Sequence, residues 1–312
     1  MLIEQQLFCV PIVLLCDCVL ALGNFGHKLD DCMKIKKSRK LGSSIKNAPS
    51  DFLRRFAVAL VTAGVVVFQT TSCGLQPTAQ TPRVEHSPAT TSSSFAACPQ
   101  FFAGGIAPMA SNVQKQRELC FDGFAVLHNG STRTPAFVAE RLNRQLLLQA
   151  REQRRTDRFF ADARLPEAER AELSDYKGSG YSRGHMAPAA DMSSATAMEQ
   201  SFSLANIVPQ NPQQNAGSWA KIEKDTRSYV MRAKGDVYVI TGPVFDPGSP
   251  TIGANQVHVP THLFKLVYDA TTQKAWAHWQ QNSAEARPGP PISYGELEQR
   301  TGMEWIPGAA IK

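Results

Sequence analysis

An α+β fold, with a mixed or antiparallel sheet carrying helices, is predicted over residues 98–310 by three observations. Apolar runs of strand length pair about turn residues, as in "HLFKLVYDATTQKAWAHWQQ" (262–281), where "DATTQ" separates two strands. Two segments, the second half of 134–152 and 215–230, repeat their apolar residues at helical spacing. Strands and helices follow one another in no strict alternation, the pattern of α+β architecture. Hydrophobic residues at 43% and charged residues at 19% fit a globular chain with a real core.

Taken in order, the N-terminal third reads as three pieces. Residues 1–32 form a doubtful extension, because Met33 opens "MKIKKSRK", which reads as a start. Residues 33–73 hold eight Lys and Arg against one acid, then thirteen uncharged residues, "FAVALVTAGVVVF", then "QTTSCG". A basic segment, a short apolar run and small residues are the parts of a secretory signal, and the run is too short for a hydrocarbon core of roughly 30 Å. Cys73 after the small trio resembles the lipidation site of a bacterial lipoprotein, with Thr70 where leucine is usual. The segment predicts export, and leaves open a periplasmic protein, a membrane-anchored lipoprotein with its lipid on Cys73, or a secreted one. Residues 74–97 are rich in Ser, Thr and Pro and read as a tether.

The formal charge of +6 comes mostly from residues 33–73, which carry net +7 against +2 for residues 74–312, so it makes no case for a nucleic-acid partner by itself; a local patch must do that. Of seven cysteines, only Cys98 and Cys120 fall in the predicted domain. An even pair in an exported domain predicts a disulfide. Within that domain "CFDGFAVLHN" (120–129) reads as a strand, "TPAFVAERLNRQLLLQARE" (134–152) as a strand becoming a helix, and "DVYVITGPVF" (236–245) as a buried strand ending in a Gly-Pro turn.

Two stretches carry candidate chemistry. "GYSRGHMAPAADM" (180–192) sets Arg183 and His185 among small residues, too poor in charge for a solvated loop and in β-branched residues for a core strand. "FSLANIVPQNPQQNAGSWAKIEKDTRSYV" (202–230) reads as a short strand, a loop rich in Asn, Gln and Pro, and a helix N-capped by Asn215. Trp219, Ile222, Tyr229 and Val230 give its buried stripe, and Asn215, Glu223 and Arg227 lie four-residue steps apart along the stripe's edge. Alone, Glu223 and Arg227 read as an i,i+4 ion pair.

Together, "SRGH" (182–185), "LANIVPQ" (204–210) and "NAGSWAKIE" (215–223) resemble the ordered motifs of the DNA/RNA non-specific endonuclease family, whose core is the ββα-metal, or His-Me finger, motif. The resemblance continues in "DYKGSGY", "VYVITGPVF" and "VHVPTHLFK" and covers nearly all of 98–310. It departs at Ser182, where the family has aspartate, which puts full activity or metal affinity in doubt.

The resemblance implies hydrolysis of DNA and RNA phosphodiesters, with little sequence specificity and 5′-phosphate products. It implies His185 as general base, and Mg²⁺, with Mn²⁺ as an alternative, held by Asn215. Glu223 is expected to orient water at the metal, Arg183 and Arg227 to hold phosphate, and Asn206 to position the histidine. An arginine of "RRTDRFF" is expected on phosphate, with Arg158 the choice. Two rivals stand beside this reading: a phosphodiesterase of small nucleotides, and a catalytically weakened DNA-binding module. A homodimer is left open.

Overall fold

Alternating apolar strands that can pair with neighbours on both sides build the centre of the molecule. The computed structural model describes residues 94–110 and 113–312. The extension, the signal segment with Cys73 and nearly all of the tether lie outside the described residues.

The chain enters through β1 (Gln116–Cys120) and β2 (Ala125–Asn129). The single strand predicted over 120–129 is instead a hairpin corner. The Phe121 amide donates to the Phe124 carbonyl at 2.9 Å, and the two rings stack at 4.4 Å. β3 (Thr134–Leu142) leads into α1 (Arg144–Ala150), as predicted, with the Asn143 side chain capping the helix at the Leu146 amide, 3.0 Å. An insertion then carries α2 (Leu173–Tyr176), β4 (Ser182–His185), α3 (Ala195–Ser201), β5 (Ile207–Gln210), α4 (Pro212–Gln214) and α5 (Ala220–Val230).

The chain returns to the sheet as β6 (Val237–Val244), makes a small hairpin of β7 (Thr251–Ile252) and β8 (Val257–His258), and closes with β9 (His262–Asp269), β10 (Lys274–Gln281), β11 (Ile292–Ser293) and α6 (Tyr294–Thr301). The seven-stranded sheet runs β1-β2-β3-β6-β9-β10-β11, every pair antiparallel. β6 does not end in a Gly-Pro turn; Gly242 and Pro243 continue the strand opposite Phe264 and Leu263. Glycine is required there, because a Cβ would stand 2.6 Å from the Phe264 ring. The DATTQ turn forms as predicted, with the Asp269 carboxylate accepting from the Thr271 amide at 2.9 Å.

Strand alternation gives the sheet two covered faces. On one, Phe137, Phe264 and Tyr268 pack against Phe102, Trp305 and Ile306 from the two ends of the domain. On the other, Val126, Val138 and Leu263 pack against Met186, Phe202 and Trp219 of the insertion. The sheet is therefore the floor on which the insertion is held. Tyr229 is only half-buried; its hydroxyl donates to Asp269 at 2.6 Å and its ring meets Trp276 edge-on at 4.7 Å.

Cys98 and Cys120 form a disulfide across 22 residues, tying the first turn of the domain to the edge of β1. Closing a loop of that length in the unfolded chain contributes about 3 kcal/mol by the chain-entropy model. Cys98→Ser with Cys120→Ser is expected to lower the free energy of urea unfolding by about that amount, and a midpoint that does not move would refute it.

Candidate active site

β4 and β5 form a two-stranded antiparallel hairpin, with Arg183 opposite Pro209, Gly184 opposite Val208 and His185 opposite Ile207. In a strand, Arg183 and His185 share one face and Gly184 takes the other. Gly184 is buried, and a Cβ there would lie 2.6 Å from the Cβ of Gln210. Gln210 cannot retreat: its amide donates to Gln214 at 2.6 Å, Gln214 donates to Gln280 at 2.7 Å, and Ser218 donates to Gln280 at 3.0 Å. The glycine of "SRGH" thus serves close packing of the hairpin against this chain of amides. Gly184→Ala is expected to cost about 1–3 kcal/mol through overpacking, read as a lower melting temperature.

His185 is half-buried between two aromatic rings, Phe159 at 5.5 Å and Phe202 edge-on at 5.0 Å. Its Nε2 is buried and has no hydrogen-bond partner among the described residues. Burial lowers its pKa to about 3, with Arg155 adding to the effect and Asp157 opposing it. The imidazole is therefore neutral at physiological pH. The backbone after it is clamped by Asn206, which is fully buried. The Asn206 side chain accepts from the Ala187 amide and donates to the Ala187 and Ser201 carbonyls, all at 2.9 Å, and its own carbonyl accepts from the Met186 amide at 3.0 Å.

The helix after β5 starts earlier than predicted. Asn211, not Asn215, is the N-cap; its side chain accepts from the Gln213 and Gln214 amides at 3.0 and 3.2 Å. Pro212 then takes the first helical position, where its missing N–H costs nothing. Asn215–Trp219 is a π-helical turn joining α4 to α5. The wider turn breaks the regular four-residue steps assumed for Asn215, Trp219 and Glu223. Asn215 instead lines a cleft of about 570 Å³ with Arg183, Phe159, Lys177, Tyr181 and Ser182.

Arg227 does not pair with Glu223. Its guanidinium donates to Asp191 at 3.0 Å, and Asp191 is almost wholly buried. Glu223 has its pKa raised to about 7 by burial; Asp191 adds to this, and Lys265, Arg227 and Arg155 oppose it. Beneath lie Glu140 on β3 and Lys265 on β9, both buried on the sheet face that carries Val138 and Leu263. The Lys265 ammonium donates to Thr241 at 2.7 Å and, at 3.5 Å, to the carbonyl of Met186, next to His185. Neither oxygen of Glu140 has a partner among the described residues, and burial holds this carboxyl well above the usual range. Burial also raises Asp191.

Of the arginines of "RRTDRFF", Arg155 is the one whose charge bears on the candidate site residues. It contributes to the electrostatics of both His185 and Glu223, and its guanidinium lies 5.0 Å over the Phe202 ring. Arg158, the residue chosen from the sequence, is exposed, as Arg155 is, and is not among the main influences on either group. Arg183 is exposed and stacks 4.1 Å over Phe159.

The model of the DNA/RNA non-specific endonuclease family matches residues 104–308. The chain belongs to that family. Its relatives include "Nuclease EXOG, mitochondrial" of Danio rerio, 43% identical over 146 residues (43% of this chain, 42% of the relative). "Endonuclease G, mitochondrial" of Homo sapiens is 36% identical over 157 residues, 47% of this chain and 52% of the relative. The chain thus spans about half the length, or less, of these relatives. A crystal structure of the EndoG/EndoGI complex has the same fold, with a TM-score of 0.54 at 24% identity, covering 61% of this chain and 85% of that one.

These relatives of the endonuclease family correct the expectation of export. EXOG, Endonuclease G and Nuclease 1 of Schizosaccharomyces pombe all carry "mitochondrial" in their names, which points to a mitochondrial setting and not to a periplasmic, secreted or lipid-anchored one. A basic segment before a short apolar run does not by itself tell one targeting signal from another.

Sequence reasoning missed Glu140, Asp191 and Lys265, and offered Arg155 only as one of the arginines of "RRTDRFF". A signal existed for two of them. Glu140 and Lys265 fall at inward positions of strands that are otherwise apolar, where a charge is rare unless it is held for a purpose. Among the described residues no group of three or more His, Cys, Asp or Glu side chains is placed to hold a metal.

Proposed function

We propose that the chain is a metal-dependent endonuclease that hydrolyses phosphodiester bonds of DNA and RNA with little sequence preference. The observation that carries this is a neutral imidazole, His185, on one strand face with Arg183, beside a cleft walled by Asn215. Each of the three stands at the matching position of the family motif.

The donor set suits Mg²⁺, or Mn²⁺ as an alternative. Mg²⁺ keeps most of its waters and needs few protein ligands, so the side-chain oxygen of Asn215 suffices as its hold on the chain. When bound, such a cation stabilises negative charge on the phosphate and on the leaving oxygen. His185 takes a proton from the attacking water, a role that its neutral state permits. Arg183 holds a non-bridging phosphate oxygen by charge-assisted hydrogen bonds, and its stacking on Phe159 fixes the plane of the guanidinium. Arg227 does not line the Arg183–Asn215 cleft and is already tied to Asp191, so its part is to present a fixed positive charge behind the site. Glu223, with a pKa of about 7, can accept from or donate to a water beside the phosphate. Asn206 has its side chain fully engaged with backbone, which makes it a positioning residue. Cleavage is expected to leave 5′-phosphate ends.

The test is nicking of supercoiled plasmid by the full chain, with Mg²⁺ and with EDTA. Nicking that EDTA abolishes supports the reading. A folded chain that leaves plasmid and RNA intact with Mg²⁺ and Mn²⁺, but cuts a dinucleotide, would make it a small-nucleotide phosphodiesterase. Binding without cleavage of any substrate would make it a binding module, with Ser182 as the first residue to revert to aspartate.

A further inference from the structure

The cleft that holds Arg183 and Asn215 contains a second cation with no part in the chemistry so far. Lys177 lines it together with Arg183, and no carboxylate is among its lining residues. Among the described residues neither Lys177 nor Arg183 makes an ion pair. Two positive charges thus face one cleft with no acid of its lining to offset them, which favours an anion carrying more than one charge. At about 570 Å³ the cleft is far larger than a single phosphate group. It falls within the range of sites that enclose a small ligand, about 300–1,000 Å³.

The two cations differ in kind. Arg183 is stacked on Phe159, so its planar fork has one orientation. Lys177 is exposed and carries a compact charge on a flexible stem, suited to a phosphate whose place varies with the shape of the strand.

The backbone under that stem is fixed. Lys177 directly follows α2, a helix of four residues, too short to persist alone. Asp175 holds α2 in place. It is 1% exposed, and its carboxylate accepts from the Glu172 amide at 2.8 Å and from the backbone and side-chain amides of Asn255 at 3.1 and 3.0 Å. Asn255 sits in the turn between β7 and β8, and Gly253 of the same turn packs so close that a Cβ there would lie 2.3 Å from the Asp175 Cα. After Lys177, the Ser179 hydroxyl donates to the Tyr176 carbonyl at 2.9 Å and accepts from the Tyr181 amide at 3.1 Å. The β7–β8 hairpin, which contributes no residue to the cleft, therefore sets where Lys177 stands.

We propose that Lys177 binds a second phosphate of the substrate strand, next to the one that Arg183 holds, and that Asp175 is the positioning residue that keeps it in reach by latching α2 to the β7–β8 turn. The proposal rests on the nuclease reading above and adds to it the number of phosphates that the cleft grips.

The test uses the full chain carrying His185→Ala, so that the probe stays whole, with Mg²⁺. The probes are a fluorescein-labelled duplex of about 12 base pairs, a little over one helical turn, and one of its single strands. Anisotropy is expected to show Lys177→Ala raising Kd about fivefold, the upper end of what an exposed charge pair contributes. The slope of log Kd against log salt is expected to become shallower by about 0.9 on the duplex or about 0.7 on the single strand, the loss of one phosphate contact. Lys177→Arg keeps the charge and is expected to keep the slope. Asp175→Ala is expected to flatten the slope as Lys177→Ala does, and to flatten it no further when the two are combined, because both remove the same contact. Merely losing folded protein lowers the amount that binds and leaves the slope alone. Asn255→Ala, at a half-buried turn position, makes the same comparison if Asp175→Ala prevents folding.

A Lys177→Ala slope within about 0.3 of the parent chain's, with Kd within about twofold, overturns the proposal. Slopes that change additively in the double variant remove Asp175 as the positioner of Lys177. If Lys177→Ala changes nothing while the unmodified chain nicks plasmid, the nuclease reading survives alone. If the unmodified chain neither binds nor cuts, both fall.

Discussion

His185→Ala lowers plasmid cleavage by about 10²–10⁴-fold while the chain stays folded, the range expected for loss of a general base. Two features make the effect large. The imidazole is neutral across the physiological range, as the proposed general base requires. The backbone that follows it is fixed by the Asn206 clamp, so the imidazole is held in place before substrate arrives. The pH profile gives a second readout. Because burial and Arg155 lower the pKa of His185 to about 3, the acid limb of kcat/KM is expected below the ordinary histidine value of about 6.5. Arg183 lowers it further and Asp157 pulls the other way, so Arg155→Gln is expected to move that limb upward.

The same shift has a sign for stability. The unfolded chain binds a proton at His185 below about 6.5 and the folded chain does not until about 3. The contribution is present above 6.5 and is lost as pH falls through that window, on the order of a few kcal/mol. A cleavage rate in His185→Ala within threefold of the unmodified chain, or an acid limb centred at the ordinary value, would remove His185 from the chemistry.

Asn206→Leu keeps side-chain size but removes three buried hydrogen bonds at once. The Ala187 amide, the Ala187 carbonyl and the Ser201 carbonyl lose their partner in a site that leucine shields from water. At about 1–3 kcal/mol for each of the three buried groups left unsatisfied, the total is about 3–9 kcal/mol. For a domain of this size that lowers the melting temperature by about 10 °C or more. Residual folded protein is expected to lose kcat far more than KM, because the clamp aligns the strand that carries His185 and touches no phosphate. A melting temperature within about 2 °C of the unmodified chain would show that the clamp carries little.

Much of this was legible from local signals. The β9–β10 hairpin and the β3-to-α1 passage follow from alternation, a turn and an Asn cap. The family was legible because "SRGH", "LANIVPQ" and "NAGSWAKIE" follow one another in the order its motifs take. The helix start was misread although its signal was present: Asn211 directly before Pro212 is a stronger cap signature than Asn215 before Ala-Gly. The π turn has no local signal, since it serves the burial of Trp219 against the distant sheet. Arg155 could not be told from Arg158, because a run without periodicity gives no facing. Glu140 and Lys265 obey strand parity, but their relation to Asp191 and Arg227 exists only once four separate segments meet.

That meeting has an electrostatic consequence. Two cations, Arg227 and Lys265, share the space behind the site with three carboxyls, Glu140, Asp191 and Glu223, all with raised pKa values. Where those carboxyls are protonated the cluster is positive; as pH climbs through about 7, Glu223 ionises and the balance moves toward negative. The ionisation of Glu223 therefore makes the potential felt by an incoming polyanion less positive near neutrality, through a group that need never touch it. Affinity for nucleic acid should weaken on the alkaline side through Glu223 alone, so the fold carries its own internal counter-field.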